Sequence, residues 1–125
     1  MTQQITIPVG DTEWLSANDR HHWAAKAKRT KALRSKTALL AKRLTPIRGV
    51  VHATAFVAYP RAGRVDVANS YPTIKACIDG LVDAGILKDD SHTYLLGPDM
   101  RVDTPTKTKG LHQVRIVLTP QHTPF

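Results

Sequence analysis

The chain has 125 residues, and we predict one domain over residues 1–120 followed by a loose C-terminal tail over residues 121–125. The hydrophobic fraction of 42% excludes a wholly disordered chain, and the single cysteine, Cys77, excludes an intrachain disulfide. Eighteen Lys and Arg against ten Asp and Glu give a formal net charge of +8, which favours a polyanionic partner. We find no signal peptide and no apolar run near the roughly 18 residues of a membrane helix, so we expect a cytoplasmic protein without a membrane partner.

The first half of the chain predicts a strand, a long helix and a second strand. Ile5, Ile7 and Val9 alternate with Thr6 and Pro8, which indicates a short edge strand. A capping box at Ser16 and Asp19 predicts the start of a helix that reaches about Leu44, before Pro46. The spacing of Leu33, Thr37, Leu40 and Leu44 places these side chains in one stripe against the core. The β-branched and aromatic run from Val50 to Tyr59 predicts a buried strand.

The second half predicts a shorter helix and two more strands. Ser70 is a candidate N-cap, with Pro72 in the first turn, and Gly85 is a natural residue for the C-terminal end. Residues 92–97 are consistent with a strand, residues 98–110 with an exposed loop, and Val114, Ile116 and Leu118 with a final strand. These elements together predict a small α+β domain with a mixed or antiparallel sheet.

Positive charge is concentrated in the predicted long helix. Ten of the eighteen cations lie between Trp14 and Arg48, where Asp19 is the only acid. A solvated helix face normally mixes the two signs of charge, so we interpret this segment as a nucleic-acid contact rather than as a solubilising surface. The candidate DNA-binding residues are Arg20, Lys26, Lys28, Arg29 and Lys36, together with the loop cations Arg61, Arg64, Arg101, Lys107 and Lys109.

Half of the acidic residues fall between Arg64 and Asp90, although the protein is basic. These five residues are Asp66, Asp79, Asp83, Asp89 and Asp90. Hard oxygen ligands of this kind suit Mg²⁺, which activates water at a phosphodiester, and a nearby lysine can neutralise charge in the transition state. The alternative is that Lys75 and Asp79, four residues apart, form only a surface ion pair and that the remaining acids cap helix ends.

The order of these residues resembles the RusA family of Holliday-junction resolvases of bacteria and their phages. Lys75, Asp79 and Leu81 match the family pattern K-x-x-x-D-x-L, and Gly85, Asp89 and Asp90 match G-x-x-x-D-D. Upstream, Asp66 and Asn69 match the first acid and the asparagine of the pattern, and the opening segment WLSANDRHHW is also similar. The resemblance covers nearly the whole chain.

The resemblance implies a magnesium-dependent endonuclease that is a homodimer and resolves four-way DNA junctions by paired nicks during recombination and repair. It implies that Asp66, Lys75 and Asp90 serve catalysis. It also implies a RusA-like mixed fold and a bacterial or phage-infected host. The metal ligands expected on this basis are Asp66, Asn69, Asp79, Asp89 and Asp90.

One position departs from the family pattern. Ala68 stands where a second N-terminal carboxylate is expected, and three extra residues separate Asn69 from Lys75. Asn69 or Asp79 are the candidates to supply the missing oxygen ligand. The departure leaves a second hypothesis open, in which the protein keeps the fold and binds junctions or other DNA but is impaired in cutting. In the absence of metal we expect the acids to repel one another, with Lys75 offsetting only part of the repulsion.

Overall fold

A computed structural model describes residues 1–121, and the predicted tail residues 122–125 lie outside them. The four strands are β1 (Gln3–Gly10), β2 (Val51–Ala58), β3 (Leu95–Val102) and β4 (Leu111–Pro120). The helices are α1 (Trp23–Leu40), extended by a 3₁₀ turn at Ala41–Arg43, and α2 (Tyr71–Asp83), preceded by a 3₁₀ turn at Val67–Ser70. This arrangement confirms the predicted α+β class. No helix within residues 1–121 has the length and apolar character required to cross a membrane.

The strands form one mixed sheet in the order β1-β4-β2-β3. β4 pairs antiparallel with both β1 and β2, whereas β2 and β3 run parallel. β1 is an edge strand, as its sequence predicted, and Pro8 is therefore tolerated within it. Every second side chain of β1, β2 and β4 is buried, including Ile5, Val57 and Ile116. Because strand side chains alternate between faces, these residues form one apolar face that packs against the helices.

The helices cross at a close contact on Gly80. A Cβ atom at this position would lie 2.7 Å from the backbone oxygen of Arg34 and 2.7 Å from the Cβ of Thr37, both on α1. Glycine therefore lets the two helix backbones approach, at the cost of a residue that is unfavourable in a helix. The other inward residues of α2, Ile74, Ile78 and Leu81, are fully buried as their spacing predicted.

The predicted start of the first helix was wrong. The helix begins at Trp23, where the His22 side chain accepts a hydrogen bond from the Ala24 amide, and not at Ser16. The preceding segment is held by α2 instead. Leu15 exchanges two hydrogen bonds with the Thr73 hydroxyl, and the Ala17 amide donates to the Asn69 carbonyl. These tertiary bonds keep the segment out of the helix.

Two further details of the sequence prediction were wrong. Leu40 is 37% exposed, and Ala41 takes its place in the buried stripe with Leu33 and Thr37. The strand predicted at residues 92–97 covers Leu95–Val102 instead, so residues 98–102 of the predicted loop, including Arg101, are strand. Pro98 is tolerated there because β3 is an edge strand.

Candidate active site

Lys75 lies between two carboxylates that come from different parts of the chain. Its ammonium group is 2.6 Å from an oxygen of Asp79, one turn later on α2, and 2.6 Å from an oxygen of Asp90, which follows the helix. The three side chains are 21–41% exposed, so they are partly buried but still accessible to solvent. The predicted Lys75–Asp79 pair is therefore part of a three-residue cluster, which we call the Lys75 cluster.

The turn after α2 brings Asp90 back to the helix. Gly85 adopts a left-handed conformation with φ of +76°. The Gly85 amide donates to Val82 and the Ile86 amide to Leu81, which is the Schellman arrangement that closes a helix. Ile86 and Leu87 are then buried, and the Ile47 amide donates to the Ile86 carbonyl. Buried apolar residues thus fix the direction of the polar segment 88–90.

The electrostatics of the Lys75 cluster favour the charged forms of its residues. Burial alone would lower the pKa of Lys75, but its hydrogen bonds to Asp79 and Asp90 and their negative charges raise it overall. The hydrogen bond from Lys75 is the main cause of a lowered pKa at Asp90. The expectation that repulsion between the acids prevails was therefore wrong at Asp90, because the attraction of Lys75 outweighs it.

The hydrogen bonds that Arg34 donates to Asp83 are the main cause of the raised pKa of its guanidinium, and the negative charges of Asp79 and Asp90 add to it, so Arg34 lies near the Lys75 cluster. Arg34 makes a bidentate contact with Asp83, with N–O distances of 3.0 and 2.8 Å. Sequence reasoning missed Arg34 as a neighbour of the site. The residue is one of many cations in the basic segment, and only the crossing of α1 over α2 distinguishes it.

Asp89 and Asp66 use their side chains to hold backbone amides. The Asp89 carboxylate accepts from the Asp90 amide, and the Asp66 carboxylate accepts from the Ala68 amide at the start of the 3₁₀ turn before α2. No hydrogen bond or ion pair joins Asp66 to the Lys75 cluster among residues 1–121. Asn69 contributes backbone bonds, through its amide to Asp66 and through its carbonyl to Ala17.

The predicted magnesium ligands fit the ion in part. Asp79 and Asp90 place hard carboxylate oxygens on either side of the Lys75 ammonium group. Mg²⁺ needs only one or two protein carboxylates when water and phosphate complete its shell. Within the described part of the chain, no group of three or more His, Cys, Asp or Glu side chains has the arrangement of a metal site. The donor set therefore suits a weakly held ion that binds together with a phosphate.

The predicted DNA-binding residues of the first helix divide into two classes. Arg29 donates to the backbone oxygens of Asp11 and Trp14, and Lys36 donates to the Pro8 oxygen and pairs with Glu13, so both cations hold β1 and its following turn. Lys26 and Lys28 are exposed on α1, and Arg20 is exposed in the segment before it. These three remain better placed for phosphate contacts than Arg29 and Lys36.

Cys77 lies on the inner face of α2 and packs in the core. The side chain is fully buried. Burial raises the pKa of its thiol to about 12, so the thiolate needed for nucleophilic chemistry does not form near neutral pH.

The ion pair between Lys75 and Asp90 predicts a specific dependence of stability on pH. Because the pKa of Asp90 is lowered in the folded protein, the contribution of the carboxylate is present above its ordinary value of 3.8 and is lost as the pH falls through the lowered value. Asp90→Asn should therefore lower the melting temperature at neutral pH. The loss in free energy of unfolding should be less than about 1 kcal/mol, because the ion pair is partly exposed. The difference from wild type should vanish in acid. A difference that does not shrink as the pH falls below 3.8 would contradict the assignment.

Comparison of the chain with models of known protein families, and with curated protein sequences, found no match.

Proposed function

We propose that the protein is a magnesium-dependent endonuclease that cuts branched DNA, with four-way junctions as substrate and paired nicks as product. The observation that carries the proposal is the Lys75 cluster, in which two carboxylates from separate segments converge on one ammonium group. Its members occupy the positions at which the sequence resembles the RusA resolvases. The net charge of +8 adds a general attraction for a polyanion.

Each member of the Lys75 cluster has a chemical role in this proposal. A bound Mg²⁺ would activate a water molecule and stabilise the leaving oxygen at the scissile phosphate. Asp79 and Asp90 would hold the ion, with Asp89 orienting Asp90 through the Asp90 amide. Lys75, released from one carboxylate, would offset the negative charge that builds up on the phosphate. Asp66 would approach the ion from the start of the 3₁₀ turn.

Asp79 is better placed than Asn69 to replace the carboxylate that Ala68 lacks. The Asp79 carboxylate already shares Lys75 with Asp90, whereas within residues 1–121 no hydrogen bond joins the Asn69 side chain to Lys75 or Asp90. Asp79→Asn should therefore raise the magnesium concentration needed for half-maximal cutting, and Asn69→Ala should change it less. A larger shift for Asn69→Ala would reverse the assignment.

The test of the proposed function is a gel assay on a synthetic four-way junction. Symmetrical nicks that require Mg²⁺ and stop with EDTA would support the proposal. Binding of the junction without any nicking, at all magnesium concentrations, would favour a protein that binds branched DNA and has lost cutting. That second candidate is favoured by one observation, the use of the Asp66 carboxylate as a cap for the Ala68 amide.

We propose a homodimer as the active form, in the cytoplasm. A four-way junction has two equivalent strands, and paired nicks need two equivalent sites, which a two-fold dimer supplies. Exposed apolar side chains on α1, Trp23 at 75% and Leu39 at 62%, are consistent with an association surface. Sedimentation at micromolar concentration should give the mass of a dimer. A fully active monomer would contradict this prediction.

A further inference from the structure

The largest cleft described lies between two loops at one end of the sheet. One loop follows β2 and spans residues 60–65, and the other spans residues 105–110 before β4. The cleft has a volume of about 1190 Å³, and its walls include Tyr59, Pro60, Val65 and Pro105. We call it the two-loop cleft. Its last wall residue in the first loop, Val65, directly precedes Asp66.

All charged side chains that line the two-loop cleft are positive. Arg61 and Arg64 lie on the first loop and Lys107 and Lys109 on the second, and the cleft lining contains no acid. All four side chains are exposed. None of the four forms an ion pair or a side-chain hydrogen bond within residues 1–121, in contrast to Arg29, Arg34 and Lys36. A concave surface with four free cations concentrates positive potential and attracts an anion.

Backbone bonds fix the second loop beside the end of β2 before any ligand binds. The Thr106 amide donates to the Tyr59 carbonyl at 2.9 Å, and the Asp103 amide donates to the Val57 carbonyl at 2.8 Å. The Thr106 hydroxyl donates to the Leu111 carbonyl at 2.7 Å, which closes the second loop on itself. The Tyr59 ring packs edge-on against Trp14 and His112. The second loop and the floor of the cleft at Tyr59 are therefore preformed.

Lys107 occupies a strained backbone conformation at the cleft. Its φ of 60° lies in the left-handed region, which a lysine adopts rarely and a glycine adopts freely. Residues in such conformations cluster at functional sites, where the surrounding structure imposes the strain. The Lys107 ammonium group has no partner within residues 1–121 and is therefore available to an external ligand.

We propose that the two-loop cleft binds an unpaired DNA strand next to the cutting site. Four cations suit the phosphodiester backbone, and the apolar walls with Tyr59 offer surface to unstacked bases. A duplex keeps its base faces stacked inside and cannot use those walls. The proposal rests on the proposed function, because it assigns the cleft to the strand that separates at a branch point, and it adds a substrate preference for branches with an unpaired segment.

The test measures binding without cutting, by fluorescence anisotropy in EDTA. The probes are an oligothymidylate of about 16 nucleotides and a duplex of the same length. Arg64→Ala/Lys107→Ala should weaken oligothymidylate binding about tenfold or more, because each lost contact is a charge-assisted hydrogen bond. The control is Lys42→Ala/Arg48→Ala, which removes the same charge from exposed positions outside the cleft. The control should change binding severalfold less.

Lys107→Gly separates a loss of binding from a loss of folding. Glycine relieves the strained φ, so the melting temperature should stay the same or rise while oligothymidylate binding falls. Equal weakening of duplex and oligothymidylate would show that the cleft follows a duplex arm and would overturn the proposal, as would unchanged binding in all cleft variants. The outcome is independent of magnesium-dependent nicking, so the cleft proposal and the proposed nuclease function can fail separately.

Discussion

In the proposed nuclease, replacing Asp90 with asparagine should reduce junction cutting by at least about 100-fold, which is the usual cost of removing one preorganised charge from an active site. Asp90 is the member of the Lys75 cluster that comes from outside α2, and its carboxylate lies 2.6 Å from the Lys75 ammonium group. Asparagine keeps the size of the side chain but loses the charge that holds a metal ion. Junction binding should remain intact or become tighter, because the substitution removes a repulsion of phosphate.

Asp66→Asn should likewise reduce cutting and leave junction binding intact. Its effect on cutting can be separated from an effect on stability. The Asp66 side chain caps the Ala68 amide, and asparagine caps about as well as aspartate. Cutting rates are measured at saturating junction, with melting curves for each variant. Asp99→Asn serves as the matched control, since this exposed acid pairs with His52 on the neighbouring strand. Wild-type cutting by Asp90→Asn or Asp66→Asn would remove that residue from the site.

Replacing Gly80 with alanine should destabilise the fold by about 1–3 kcal/mol, although alanine is the better helix former by about 1 kcal/mol. The added methyl group would meet the Arg34 oxygen and the Thr37 Cβ at 2.7 Å. Both neighbours belong to the body of α1 and cannot move aside as a flexible side chain would. The helices must separate, and the separation disturbs the contacts of Ile74 and Ile78 in the core.

Urea unfolding of Gly80→Ala measures this cost directly. Gly63→Ala is the control, because its φ is not in the left-handed region and nothing lies within 4 Å of the added methyl group. The control should be neutral or slightly stabilising. If Gly80→Ala were as stable as wild type, the close crossing of α1 and α2 would be wrong.

Local sequence patterns predicted the elements whose cores follow a simple period. The alternation in β1, β2 and β4 and the spacing of Ile74, Ile78 and Leu81 on α2 matched the buried positions. The start of α1 could not be predicted in this way. Ser16 and Asp19 have the types and spacing of a capping box, but Leu15 and Ala17 bond to residues more than 50 positions later. Bonds of that kind have no local signature.

The local part of the candidate site could be predicted from the sequence, and the long-range part could not. Lys75 and Asp79 lie one helical turn apart, so their contact follows from the helix itself. Asp90 was placed near them by resemblance, and the contact depends on the turn at Gly85 and on burial of Ile86 and Leu87. The proximity of Arg34 depends on the absence of a side chain at Gly80 on the facing helix. Sequence spacing carries no information about that crossing.

The order of the strands has a consequence for the biosynthesis of the protein. β4, the last strand to be synthesised, is inserted between β1, the first, and β2. On the ribosome the backbone N–H and C=O groups of β1 have no strand partner until residues 111–120 have been synthesised, because within residues 1–121 β1 pairs only with β4. At about 5–20 residues per second, synthesis from the end of β1 to the end of β4 takes about 5–20 seconds. The sheet therefore closes only after synthesis of β4, and a nascent chain that stalls before β4 leaves an unpaired apolar strand for chaperones or proteases to recognise.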